Sequence, residues 1–161
     1  MQEAKIQYVL ERLNKELLRF IDTIGEIPYI ALPSEKPEII CFAGKIRELT
    51  GYDANEILAD REHWEKMIHP DDCEQVFAAF VRCKNEGAPF NIEYRIVHKD
   101  GSLRFVNDKG EPVFNNKGEI TQIEGLITPL GEGREPESIS LLEIREVTNS
   151  YNVNSNNFQK V

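Results

Sequence analysis

The stretch His98-Lys99-Asp100-Gly101-Ser102 decides the fold, because it is a polar turn between two segments with alternating apolar residues. In the segment before the turn, residues 90–97, one face carries only aromatic and aliphatic side chains: Phe90, Ile92, Tyr94 and Ile96. The segment after the turn, residues 103–107, alternates again. Alternation with a period of two on both sides of Asp-Gly predicts a β-hairpin.

Composition and flanking turns predict three further strands, at residues 27–32, 38–43 and 119–128. Helices are predicted between residue 43 and the hairpin, at residues 45–49, at residues 53–58 and from Pro70 to about Asn85. Proline suits the first helical position, and Asp71 and Asp72 place negative charge at the positive end of the helix dipole. This order of elements predicts an α+β fold, with a five-stranded antiparallel sheet and helices on one face.

Residues 2–24 are predicted to form an amphipathic helix that precedes the sheet. Its apolar residues are spaced alternately four and three apart, as in a heptad seam: Ile6, Leu10, Leu13, Leu17, Phe20 and Ile24. Val9, Leu18 and Ile21 widen this stripe. The helix has two competing roles, packing on its own domain or pairing with a copy of itself, and the width of the stripe favours both.

The chain therefore divides into three parts, with a flanking helix at 1–24, a folded domain at 25–130 and a linker or tail at 131–161. The tail opens with a polar, glycine-containing break typical of linkers, and residues 149–157 hold five asparagines.

Composition excludes several classes of protein. The formal net charge is −9, which argues against binding to nucleic acid, because that affinity comes mainly from Lys and Arg at phosphates. No apolar run approaches the roughly 20 residues needed to span a bilayer, and no signal segment opens the chain, so we expect a cytosolic protein without direct membrane insertion. The odd number of cysteines, three, fits reduced, half-buried thiols better than a disulfide framework.

Four motifs, in their order and spacing, resemble those of a PAS domain of the type found in bacterial and archaeal sensor proteins. The resemblance covers about residues 25–128. The motifs are Leu49-Thr50-Gly51-Tyr52 followed by Glu56-Ile57-Leu58, Trp64 with Ile68-His69-Pro70-Asp71-Asp72, Glu93-Tyr94-Arg95-Ile96, and Lys99-Asp100-Gly101-Ser102-Leu103-Arg104-Phe105-Val106.

The resemblance implies a sensor or interaction module and not an enzyme. It also implies a pocket between the inner face of the sheet and the helices that precede Pro70. Candidate lining residues for this pocket are Phe42, Ile57, Ile92, Tyr94, Phe105, Ile123 and Ile127. Plain core packing explains a buried apolar residue without any ligand, so both interpretations stay open.

The resemblance further implies partners. Family members carry flanking helices that dimerise and pass a signal to an output domain such as a histidine kinase, and residues 6–24 stand where such a helix would be. After the last strand the family usually has Asp-Ile-Thr, whereas this chain continues from Thr128 into Pro129-Leu130-Gly131. Because proline and glycine disfavour the start of a rigid helix, the N-terminal helix becomes the expected route of transmission.

Cofactor chemistry is constrained by residues that the sequence lacks. Residues 53–64 contain no cysteine, which argues against a covalent flavin, and residues 71–86 contain no histidine, which argues against a haem. No cofactor is therefore predicted, and a non-covalent flavin or a small metabolite stays open. His69 and Cys73 flank two aspartates, but the physics of a helix N-terminus explains this cluster, so no metal or catalytic site is predicted.

The leading hypothesis is a signal-transduction module that forms a homodimer through its N-terminal helix, with or without a small ligand. The alternative is a ligand-free protein-interaction domain of a larger signalling or transcription-regulatory protein. A third hypothesis is a small-molecule enzyme on a similar α+β fold.

Overall fold

A computed structural model describes residues 1–131 of the protein, and within them five strands form one antiparallel sheet in the order β2-β1-β5-β4-β3. The predicted α+β class, antiparallel sheet and N-terminal helix are confirmed. The predicted tail lies, apart from Gly131, outside the described residues. The elements are α1 Gln2–Ile24, β1 Ile27–Leu32, β2 Glu38–Phe42, α2 Ile46–Thr50, α3 Ala54–Leu58, α4 His63–Met67, a 3₁₀ turn Pro70–Asp72, α5 Cys73–Glu86, β3 Phe90–Val97, β4 Leu103–Phe114 and β5 Ile120–Pro129.

The hairpin joins β3 to β4 at the predicted turn, where Val97 is the register partner of Leu103. The backbone N–H of His98 donates to the carbonyl of Ser102 at 2.8 Å, which closes the turn. The turn also contacts the helices, since the Lys99 backbone N–H donates to the Thr50 carbonyl at the end of α2 at 2.9 Å. One short polar stretch therefore sets the strand register and fixes a helix against the sheet.

The core lies between α2–α5 and one face of the sheet, where strand residues alternate as predicted. Two elements differ from prediction. The α4 helix was not expected, and β4 continues to Phe114 instead of ending at residue 107. The three cysteines are free, as expected, but they are not uniformly half-buried, because Cys41 is exposed and Cys83 is buried.

The apolar stripe of α1 is open to solvent. Every residue of this helix is exposed except Ile21, which is partly buried beside Gly44. The prediction that the stripe packs on its own domain is therefore wrong, apart from the contact of Ile21 with Gly44. The six seam residues are between 46% and 64% exposed: Ile6, Leu10, Leu13, Leu17, Phe20 and Ile24. Among the described residues, no helix is long and apolar enough to cross a membrane.

An ion pair ties the start of α5 to β3. The Arg95 guanidinium donates from Nε and Nη2 to the two oxygens of Asp72, at 2.8 and 2.7 Å. The Arg95 backbone N–H donates to the same carboxylate at 2.8 Å. Hydrogen bonds from Arg95 lower the pKa of Asp72. One carboxylate therefore accepts hydrogen bonds from both the backbone and the guanidinium of Arg95. The two bonds from the guanidinium make the ion pair bidentate, which is the stronger kind.

Replacing Asp72 tests this link. Asp72→Ala is expected to reduce the free energy of unfolding by about 2 kcal/mol, because it leaves a half-buried guanidinium and a backbone N–H without their acceptor. The neighbouring Asp71 has a side chain that is 75% exposed and lies 3.7 Å from the same guanidinium. Asp71→Ala is therefore the matched control, with an expected loss below about 0.5 kcal/mol. Equal losses in urea unfolding would contradict the assignment.

Candidate functional site

A carboxylate is buried on the inner face of the sheet. Asp108 lies on β4 between Val106 and Gly110 and is 4% exposed. The hydroxyl of Tyr29 donates to its Oδ1 at 2.9 Å, and the hydroxyl of Tyr94 donates to its Oδ2 at 2.8 Å. Both tyrosines are also buried. Each carboxylate oxygen therefore accepts one hydrogen bond from a neutral donor.

The two tyrosines that bind Asp108 belong to strands at different positions in the sheet. Tyr94 is on β3, the strand next to β4, whereas Tyr29 is on β1 and is separated from β4 by β5. Neighbouring strands are about 4.8 Å apart, so the ring of Tyr29 must lie across β5 to reach Asp108. It crosses at Gly125, its register partner, where any Cβ would overlap the ring. A glycine at this position makes the second hydrogen bond possible.

The same arrangement repeats on the next strand. Gly110 on β4 is the register partner of Gly125, and the ring of Phe90 from β3 covers it. Two adjacent glycines therefore leave the inner face free of side chains, and aromatic rings from the flanking strands fill that space.

Burial sets the charge state of the carboxylate. It raises the pKa of Asp108 from 3.8 to about 6, although the hydrogen bonds from Tyr94 and Tyr29 act in the opposite direction. At neutral pH the carboxylate is therefore predominantly ionised. Burial, and then the charge of Asp108, raises the pKa of both Tyr29 and Tyr94, so these hydroxyls stay protonated and remain donors.

A cavity of about 320 Å³ opens beside this cluster, and Asp108 and Tyr29 form part of its wall. The remaining wall is mostly apolar. Part of it comes from β1 and from around the start of β2: Ala31, Pro37 and Ile39. The other apolar residues come from α4 and the residue after it, from α5 and from the start of β3: Trp64, Ile68, Val76, Phe77, Phe80 and Phe90. Lys36 and Glu65 also line the cavity and lie 3.3 Å apart, from Nζ to Oε2. The site is therefore a mainly apolar chamber with one buried carboxylate, Asp108, in its wall and exposed charged groups at Lys36 and Glu65.

The seven predicted lining residues lie elsewhere in the described part of the chain, and none of them lines this cavity. Tyr94 donates its hydrogen bond to Asp108. Three of the seven are buried in the core: Ile57, Ile123 and Ile127. Phe42 and Ile92 are partly buried and pack against the core. Phe105 alternates with Val106 on β4 and faces away from the core, beside Asp22 and Thr23 of α1. Contact between a ligand and any of the seven stays a prediction.

The cavity is bounded by α5 as well as by α4, whereas the pocket was expected against the helices before Pro70 alone. The buried carboxylate was not identified from the sequence, because the predicted strand ended at residue 107. One signal could have identified it, since Asp108 continues the alternation that places Val106 on the inner face. An aspartate at an inward strand position, with tyrosines at inward positions elsewhere, points to a buried polar cluster.

Metal chemistry has little support in residues 1–131, where no three His, Cys, Asp or Glu side chains are close enough to hold an ion. Cys73 also lines the cavity, and burial raises the pKa of its thiol, so this sulfur is a weak nucleophile.

Comparison with known proteins identifies the fold family. The family model for the PAS fold matches residues 39–127, more than half of the chain. The chain belongs to the PAS family. The methyl sulfide methyltransferase-associated sensor of Methanosarcina acetivorans is 32% identical to it over 133 residues, which are 82% of this chain. The chain spans 13% of the length of that sensor.

Solved structures show the same fold at lower identity. The N-terminal domain of a diguanylate cyclase with a PAS/PAC sensor, from Marinobacter aquaeolei, superposes with a TM-score of 0.57 at 22% identity, covering 65% of this chain and 94% of that one. A sensory box histidine kinase/response regulator from Burkholderia thailandensis gives a TM-score of 0.51 at 18% identity, covering 85% and 92%.

The crossing of Tyr29 over Gly125 makes a testable prediction for this PAS domain. Gly125→Ala is expected to reduce the free energy of unfolding by about 2–3 kcal/mol, because the new methyl group displaces a packed ring. In a Tyr29→Ala background the same substitution should cost below about 1 kcal/mol, since the ring is absent. A double-mutant cycle in urea unfolding measures this coupling. An equal cost in both backgrounds would contradict the crossing.

Proposed function

We propose that this PAS domain is a sensory or regulatory module of a larger signalling protein, which dimerises through α1 and takes a small ligand in the cavity beside Asp108. The observation that carries the proposal is the exposed heptad seam of α1, directly ahead of a PAS domain. An apolar stripe of six residues in contact with water is costly, and a second copy of the same helix offers a matching stripe.

The cavity supports the ligand part of the proposal. Its volume of about 320 Å³ is near the lower end of the range for small-molecule sites, which favours a small metabolite over a flavin. Its walls are mainly apolar with a few polar groups, which is the composition typical of such sites.

The comparisons support the signalling context. The Methanosarcina relative is named as a sensor, and the structural neighbours belong to a diguanylate cyclase and a histidine kinase. The proposed partner of this chain is therefore an output domain such as a histidine kinase. The proposed location is the cytosol, since Cys41, Cys73 and Cys83 are all free thiols, and such residues suit a reducing compartment.

A ligand-free protein-interaction domain is the second candidate. One observation favours it, since within residues 1–131 no buried side-chain N or O atom lacks a hydrogen-bond partner. Both oxygens of Asp108 already accept a hydrogen bond from a tyrosine, so the fold does not need a ligand to form.

The α1 seam is tested by charge substitution. Leu10→Glu combined with Leu17→Glu is expected to convert the dimer to a monomer, because two charges on each helix then face each other across an apolar interface. Multi-angle light scattering measures the mass directly. The predicted change is a twofold loss of mass at a concentration where the wild type is dimeric.

The matched control changes the net charge equally but leaves the seam intact. Arg12→Gln with Arg19→Gln also lowers the charge by two, at exposed positions away from the seam, and should stay dimeric. Persistence of the dimer in the Leu10 and Leu17 variant would refute the seam. Loss of the dimer in both variants would show that net charge, and not the seam, controls association.

A further inference from the structure

The buried carboxylate of Asp108 is hydrogen-bonded, but neither of its described partners carries a positive charge. Both of its hydrogen bonds come from neutral hydroxyls. Among the ion pairs described for residues 1–131, none involves Asp108. Buried charges in proteins are normally paired with an opposite charge or with a metal, because their desolvation is costly. Asp108 therefore lacks the positive partner that is usual for a buried carboxylate, and it lies in the wall of a cavity.

The cavity has no cation of its own that is available for this role. Within the described residues, Lys36 is the cationic side chain that lines the chamber. Its Nζ lies 3.3 Å from Glu65 and 3.8 Å from Glu62, and these two carboxylates balance its charge. Glu74 adds a further acidic group to the lining. The charged side chains of the lining are therefore mostly acidic, which favours a positive ligand.

The carboxylate also retains free acceptor capacity. Each oxygen of a carboxylate has two lone pairs, and one tyrosine hydroxyl occupies one lone pair on each oxygen. The two tyrosines also fix the orientation of the group, so a ligand would not have to order it. A donor that enters the cavity can therefore bind Asp108 without displacing either tyrosine.

From this geometry we infer that the chamber binds a small organic cation, a protonated amine on an apolar body, whose ammonium group donates to Asp108. This inference rests on the proposed function and specifies its ligand. The apolar body packs against the walls formed by Trp64, Phe80 and Phe90. A metal ion is the poorer occupant, because the described residues include no cluster of three His, Cys, Asp or Glu side chains that could hold one.

Benzylamine and benzyl alcohol form a matched pair for the test, since they have nearly the same shape and differ in charge at neutral pH. Isothermal titration calorimetry on the purified protein should give a Kd for benzylamine lower by about tenfold or more, because a charge-assisted hydrogen bond replaces a neutral one. Benzoate, the anionic analogue, should not bind.

Asp108→Asn keeps the shape of the side chain and removes its charge, so it should abolish the preference for the amine. Glu111→Gln removes the same charge from an exposed position on the same strand and should retain the preference. The comparison of the two ligands in the wild type needs no variant, so it stands even where Asp108→Asn fails to fold.

Equal affinity for the amine and the alcohol would overturn the inference of a cation and leave the proposed small-ligand module in place. Binding of the amine by Asp108→Asn as tightly as by the wild type would overturn the role of Asp108. Binding of none of the three compounds by a protein that light scattering shows to be dimeric would overturn the cation inference and leave dimerisation standing. A monomeric wild type would count against the proposed function independently of the titrations.

Discussion

Two tyrosine hydroxyls hold the ionised Asp108 carboxylate inside the sheet, and this contact constrains the inner face of the PAS domain. Tyr94 comes from the neighbouring strand, whereas Tyr29 must cross β5. The crossing requires Gly125, and the neighbouring Gly110 leaves room in the same way for Phe90. The aromatic rings, the paired glycines and the cavity wall are therefore parts of one arrangement around a single buried charge.

The helices are held to this sheet by separate polar contacts. Asp72 at the start of α5 binds Arg95 of β3, and the hairpin turn binds the end of α2 through Lys99 and Thr50. The first contact comes from β3 and the second from the turn that follows it, so both hold helices near the same end of this strand. α1 contacts this assembly near its C-terminal end, where Ile21 lies beside Gly44, and the rest of its apolar stripe is exposed.

Much of the fold could be predicted because it depends on local patterns. The alternation in β3, the Asp-Gly turn and the heptad spacing in α1 each lie within one continuous segment of the chain. The site could not be predicted in the same way. Tyr29 and Asp108 are 79 positions apart, and their contact depends on strand order and on a glycine in a third strand. No local pattern encodes such a contact. The predicted pocket therefore consisted of inward apolar residues, most of which pack in the core.

Titration of the Asp108 carboxyl group by carbon-13 NMR tests the central claim most directly. Comparison with the Asp108→Asn spectrum assigns its resonance. Burial between two tyrosines predicts a midpoint near pH 6, against 3.8 for an ordinary aspartate. A midpoint near 4 would show a solvated carboxylate, and it would contradict the buried, hydrogen-bonded charge on which this account of the site depends.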